Sequence, residues 1–296
     1  MASRAILVCF HKYTPFGGQF YEPILDFFLA SMKKYENEYD QLYLIDSNWE
    51  INPEKIKDMK AQIVRVNPSL RYYDVYKAIL PQVKEDLVLF MDNDMVVYRK
   101  NTIYNTFAQL DNSYQFIKTG EYGVVSIIDE IGEYKTDKLK NGNKFCPYWF
   151  AARKELLMKY RDVDWGVAPF SETLGYLTEA MLNDDVKVYE WPEDKSSIYF
   201  EGMQDGEKGK DLGYMHIRAG SSSAVLLAWK NSPEHKHSYE DYLKTQPKNE
   251  TLRHCAWYRY MGGDAGEITI DLGINYQEFW VEYYNKFKEY HGLEDR

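Results

Sequence analysis

Leu87-Val-Leu-Phe-Met-Asp-Asn-Asp-Met-Val-Val97 sets five consecutive apolar residues, the length of a fully buried strand, directly against an Asp-Asn-Asp triplet. A strand buried on both faces belongs inside a sheet. Asp92 and Asp94 are therefore predicted just past its carboxyl end, the edge where open α/β sheets bind ligands. Two carboxylates one residue apart suit a hard divalent cation, which takes one or two carboxylates together with substrate phosphates. With 22 aspartates in 296 residues, about 1.6 such pairs arise by chance, so position carries the argument rather than spelling. The second pair, Asp162-Val-Asp164, has no buried strand before it and reads as a solvated turn.

Upstream, Ala5-Ile-Leu-Val-Cys-Phe10 is a second strand-length apolar run, ended by the loop residues Thr14-Pro-Phe-Gly-Gly18. Ile24, Leu25, Phe28, Leu29 and Met32 then recur at helical spacing. Leu42-Tyr-Leu-Ile45 reads as a strand, Pro53 opens a short helix to residue 60, Ile63-Val-Arg-Val66 is a strand, and residues 72–83 return to helical spacing. Three βα units thus precede the acidic strand, which requires a parallel sheet. Downstream, the spacing predicts a helix over 102–110, a strand over 124–128, a polar loop over 130–143 and helices through 160 and over 172–182. Tyr148-Trp-Phe-Ala-Ala152 is an apolar run ahead of the helix that ends at residue 160. Val186-Lys-Val-Tyr189 reads as a strand, 204–211 as a second polar loop, and Tyr214-Met-His-Ile217 closes the core. Residues 221–296 read as a mostly helical C-terminal extension, whose Phe279, Tyr283, Phe287 and Tyr290 are expected to pack on the core.

Composition removes several function classes. Lys plus Arg number 36 against 46 Asp plus Glu, a net charge of −10 that repels a nucleic-acid backbone on average. No apolar stretch approaches the roughly 20 residues of a membrane-spanning helix, so no integral membrane association is expected. Met1-Ala-Ser-Arg4 has neither the apolar core nor the cleavage site of a secretory signal, and Cys9, Cys146 and Cys255 form no C-x-x-C pair. A cytoplasmic chain with reduced packing cysteines is the expectation. No G-x-G-x-x-G follows the first strand and no G-x-x-x-x-G-K-[ST] occurs anywhere, so phosphate must be neutralised by another device.

An apolar strand running into Asp92-Asn93-Asp94, with three βα units before it, resembles the nucleotide-sugar glycosyltransferases of the GT-A fold over roughly residues 4–220. The resemblance implies an α/β, Rossmann-like fold, with a donor-nucleotide half over 1–97 and an acceptor half over 98–220. The activity it implies is transfer of a sugar from a nucleoside-diphosphate sugar to a hydroxyl acceptor such as a glycan, lipid-linked sugar, protein or modified nucleobase. Asp92 and Asp94 carry over as ligands of Mn²⁺ or Mg²⁺ bridging the donor diphosphate, with Asn93 near the ribose or sugar. Asp46, after the second strand, matches the acid that contacts the base in many members, although an Asx turn would use the same residue. Phe10, His11, Lys12 and Tyr13, which the first strand delivers, become candidates for base stacking and phosphate contact. Lys77 lies near a basic donor-binding position of such enzymes. His216 matches a histidine that several members send to the metal or diphosphate, and Arg218, two residues on, would hold diphosphate oxygens.

For an inverting reaction the acceptor hydroxyl needs a base, and Glu172, at a predicted helix start, matches the acid of inverting members. A first-turn cap would also place an acid there. Two other classes compete. Asp92-Asn-Asp-Met-Val96 also spells the D-x-D-x-[TV] of haloacid-dehalogenase-like phosphatases, whose motif normally follows the first strand of the domain rather than the fourth. A non-catalytic nucleotide-sugar binding protein on the same fold is the other.

Overall fold

The computed structural model describes residues 2–11, 22–47, 51–67, 70, 72–93, 95–97, 99–111, 122–129, 137–140, 142, 144–165, 174–191 and 214–216. In chain order the elements are β1 (Arg4–His11), α1 (Glu22–Lys34), β2 (Gln41–Ser47), β3 (Ala61–Arg65), α2 (Tyr72–Ile79), β4 (Leu87–Met91), β5 (Met95–Val97), α3 (Thr102–Ala108), β6 (Val124–Asp129), β7 (Lys144–Arg153), α4 (Lys154–Lys159), α5 (Gly175–Asn183), β8 (Val188–Glu190) and β9 (Tyr214–His216). They fall into two compact units. One comprises Met1–His11, Tyr35–Asp92 and Arg99–Glu193, the other Lys12–Lys34, Asn93–Tyr98 and Asp194–Arg296.

The first unit is built on a seven-stranded sheet in the order β3-β2-β1-β4-β7-β6-β8. β1 pairs in parallel with β2 and β4, and β2 with β3. β7 is antiparallel to both its neighbours, β4 and β6, while β8 is parallel to β6. The carboxyl ends of β1, β2, β3, β4, β6 and β8 therefore share one edge. This is the α/β, Rossmann-like sheet expected, and all five residues of β4 are buried as a central strand requires. The apolar run over 148–152 is the middle of β7.

Local chemistry sets where the elements stop. Helix α2 ends at Ile79 and tightens into a 3₁₀ turn over Leu80–Gln82, short of the predicted residue 83, because Pro81 has no amide to donate. The helix predicted from Pro53 is a single 3₁₀ turn, Pro53–Ile56, started by the Asn52 side chain, which accepts from the Glu54 amide at 3.0 Å. Beneath the carboxyl end of β4, Phe90 packs edge-on against Tyr76 (4.9 Å between centroids) and Trp165 (6.1 Å) and stacks on Phe150 (5.6 Å), its partner on β7. Each such pair adds about 0.5–1.5 kcal/mol beyond area burial.

In the second unit, α1 packs on β5 and buries Leu25, Phe28, Leu29 and Met32, the residues whose spacing predicted it. Ser31 Oγ donates to the Val97 carbonyl at 2.6 Å and accepts from the Val97 amide at 2.9 Å. β5 pairs antiparallel with β9, in a register that sets Met95 opposite His216. The C-terminal extension over 221–296 and the loop over 204–211 lie outside the described residues.

Candidate functional site

Asp92 follows Met91 at the carboxyl end of β4, as the apolar run requires, and is partly exposed. Asn93, next along, is buried at 9% exposure. The Cys9 thiol, on the neighbouring β1, is pushed far above its ordinary range, first by burial and then by the negative charges of Asp92 and Asp46. Burial is the larger cause, and the two carboxylates add to it.

Asp46 is fully buried and held within the first unit. Its Oδ2 accepts from the Ile51 amide at 3.0 Å and from Arg65 Nη1 at 2.9 Å, so it ties the chain after β2 to the end of β3. Phe10 is fully buried opposite Asp46. Lys77, on α2, donates from Nζ to the Val163 carbonyl at 2.8 Å. His11 ends β1 and His216 ends β9, and the structure describes the backbone of both. Lys12, Tyr13, Asp94, Glu172 and Arg218 lie outside the described residues. Among the described residues, no group of three or more His, Cys, Asp or Glu is placed to hold a metal. The exposed Asp162 and Asp164 sit in the irregular stretch after α4, as their reading as a solvated pair implied.

Two polar atoms missed in the sequence stand out at the same sheet edge. Ser47 Oγ, at the end of β2, and Trp191 Nε1, just past β8, are buried without a hydrogen-bond partner among the described residues. Buried polar groups are nearly always paired, so these two atoms stand apart among the described residues. The available signal for Ser47 was its place as the last residue of a buried parallel strand, where ligand contacts concentrate.

No protein-family model matches the chain, and no curated protein does. Among solved structures it is similar to a mannosyltransferase from Pyrobaculum calidifontis in complex with GDP-mannose and Mn²⁺, at 11% identity over 98% of this chain and 86% of that one, with a TM-score of 0.46. It is similar to a nucleotidyl transferase from Methanothermobacter at 14% identity over 64% of this chain and 86% of that one (TM-score 0.42). A third is glucosyl-3-phosphoglycerate synthase from Mycobacterium tuberculosis in complex with Mn²⁺ and UDP-glucose, at 12% identity over 64% of this chain and 68% of that one (TM-score 0.39). These neighbours are transferases, some of glycosyl and some of nucleotidyl groups.

Proposed function

We propose that this chain is a metal-dependent glycosyltransferase that moves a sugar from a nucleoside-diphosphate sugar to a hydroxyl acceptor. The observation that carries the reading is the position of the acidic triplet, which begins at the carboxyl end of the buried central strand β4 in an otherwise largely parallel sheet. Asp92 and Asp94 offer hard carboxylate oxygens, which suit a divalent cation. Asp92 and Asp94 would hold Mn²⁺ or Mg²⁺, with His216 as a further ligand. When bound, that ion supplies positive charge against the donor diphosphate, the role a phosphate loop plays elsewhere.

The remaining roles belong to the chain itself. Phe10, His11, Lys12 and Tyr13 would contact the base and phosphates, Asn93 the ribose or sugar, and Arg218 the diphosphate oxygens. Ser47 joins this set on the strength of its unpartnered hydroxyl. Asp46 acts by holding the chain after β2, since its Oδ2 already receives two donors. On the acceptor side, Glu172 takes the proton of the attacking hydroxyl as its oxygen bonds to the anomeric carbon, while the bond from that carbon to the diphosphate oxygen breaks.

The test is release of nucleoside diphosphate from activated sugars, screened across donors and acceptors, with calorimetry of nucleoside diphosphate alongside. Tight binding that requires Mn²⁺ or Mg²⁺ and is lost to a chelator or to Asp94→Asn is expected. Equal affinity with and without metal would remove the central argument. Release of pyrophosphate from a nucleoside triphosphate would replace sugar transfer with nucleotidyl transfer, and phosphate release through a covalent Asp92 intermediate would support a phosphatase.

A further inference from the structure

Strand β7 holds more residues than its pairing with β6 uses. Ser126 faces Phe150, and two residues further along β6 Ile128 faces Phe145, so β6 takes two steps where β7 takes five. Trp149 still pairs with Met91 of β4, which places the three surplus residues at Cys146-Pro-Tyr148. Side chains alternate along a strand, so residues five apart would point to opposite faces. The odd insertion returns Phe145 to the face of Phe150, where the two rings stack at 5.4 Å.

One buried hydroxyl ties both shoulders of this bulge. Ser126, the single polar residue of 124–128, is fully buried, and its Oγ accepts from the Cys146 amide at 3.1 Å. Its own proton reaches the Ile127 carbonyl at 2.6 Å or the Trp149 carbonyl at 3.3 Å. Pro147, the partly exposed middle residue, has no amide to satisfy. The bulge begins where β4 ends. Met91 with Trp149 is the last β4–β7 pair, so by register the place across from Asp92 falls to Tyr148. Bulges gather beside active sites because they end pairing and re-aim side chains.

We propose that Ser126 is a positioning residue, whose hydroxyl holds Cys146-Pro-Tyr148 as the wall of the Asp92 site that meets the transferred sugar. This rests on the donor reading above, with the base toward β1 and β2 and the diphosphate at Asp92. A nucleoside-diphosphate sugar runs from base through diphosphate to sugar, so the sugar falls on the far side of β4, and the strand there is β7. Serine suits the role because one hydroxyl donates and accepts at once.

Hydrogen exchange at the Cys146 amide is read without ligand in Ser126→Ala, with amides of β1 and β2 as the internal reference. Loss of the hydroxyl should speed Cys146 exchange by about 10- to 100-fold while the reference amides hold. Calorimetry with Mn²⁺ then compares UDP with UDP-glucose and GDP with GDP-mannose. Ser126→Ala should weaken the sugar-bearing ligand by about fivefold or more and leave the bare diphosphate within about twofold of the parent. General loss of stability would weaken both alike. If the reference amides also lose protection, Pro147→Gly loosens the bulge at its partly exposed residue, and the same split is expected there. Unchanged Cys146 exchange in Ser126→Ala, or equal effects on the two ligands in both variants, would overturn the proposal. Failure to bind either diphosphate would sink the donor reading and the sugar's place with it, while the exchange result still decides whether Ser126 holds the bulge.

Discussion

Arg65 Nη1 donates to Asp46 Oδ2 at 2.9 Å, joining a guanidinium that is 58% exposed to a carboxylate that is fully buried. The pair crosses from β2 to β3 at their carboxyl ends, where Asp46 also receives the Ile51 amide. One partner keeps most of its hydration and the other keeps none, so the two should respond unequally to mutation.

Arg65→Met strands a buried carboxylate and should destabilise the fold by about 1–3 kcal/mol, whereas Asp46→Asn keeps an acceptor for Ile51 and should cost less. Denaturant unfolding of both single variants and the double variant measures the coupling. A coupling of about 1 kcal/mol is expected for residues in contact, and strict additivity would mean the ion pair contributes nothing.

Acid should weaken the first unit through the carboxylates at the start of β1. Hydrogen bonds from the Ser3 amide and hydroxyl hold Asp86 below the ordinary carboxylate value. For Asp40, partial burial raises the value, but the hydrogen bonds and charge of Arg4, with the charge of Lys60, outweigh it and the net shift is downward. A depressed native value means the unfolded chain binds more protons as pH falls below about 4, so stability rises with pH there and is lost as pH drops through the native values. Unfolding midpoints measured from pH 5 down to 2.5 should fall, and Asp40→Asn combined with Asp86→Asn should flatten that slope. An equal slope in the double variant would assign acid sensitivity to other groups.

Ser47 offers a test in which stability and binding move apart. Its buried hydroxyl has no partner among the described residues, so Ser47→Ala should leave unfolding stability within about 1 kcal/mol of the parent. If the hydroxyl meets the donor, nucleoside-diphosphate affinity should fall by about five- to tenfold in the same variant. Unchanged affinity would remove Ser47 from the donor site.

The parallel half of the sheet was legible because its strands are continuous apolar runs separated by helical periods. β4 needed only Leu87–Met91 to be recognised as central. The antiparallel β7 was not, since Tyr148-Trp-Phe-Ala-Ala152 is apolar on both faces and direction leaves no mark on such a run. The partners of Asp46 and Lys77 were equally hidden. Arg65 lies 19 residues from Asp46 and Val163 lies 86 from Lys77, so only tertiary folding could show that Lys77 meets a backbone carbonyl. The position of Asp92 followed from chain direction alone, whereas Asp94, Glu172 and Arg218 rest on the sequence argument.

His216 stands opposite Met95 in the β5–β9 pair, one residue along from Asp94 in sequence. If its imidazole joins the two aspartates, His216→Ala should weaken Mn²⁺ affinity in the nucleotide complex by about tenfold or more, since even residues that merely orient a ligand contribute 10- to 100-fold. Titrating Mn²⁺ at fixed nucleoside diphosphate reads this directly. A variant with parental Mn²⁺ affinity but altered stability would make His216 a packing residue of β9.

Glu172 is assigned to the acceptor side, and Glu172→Gln keeps the size of the side chain while removing the base. General-base catalysis contributes about 10² to 10⁴ in rate, so transfer should fall by that factor while nucleoside-diphosphate affinity stays at the parental value. The stereochemistry of the product divides the remaining possibilities. An inverted anomeric centre agrees with a carboxylate that deprotonates the acceptor on the face opposite the leaving diphosphate. A retained centre would reduce Glu172 to orienting the acceptor, and the Gln variant should then show a raised acceptor KM with a modest change in kcat. Parental transfer by Glu172→Gln would dismiss both roles.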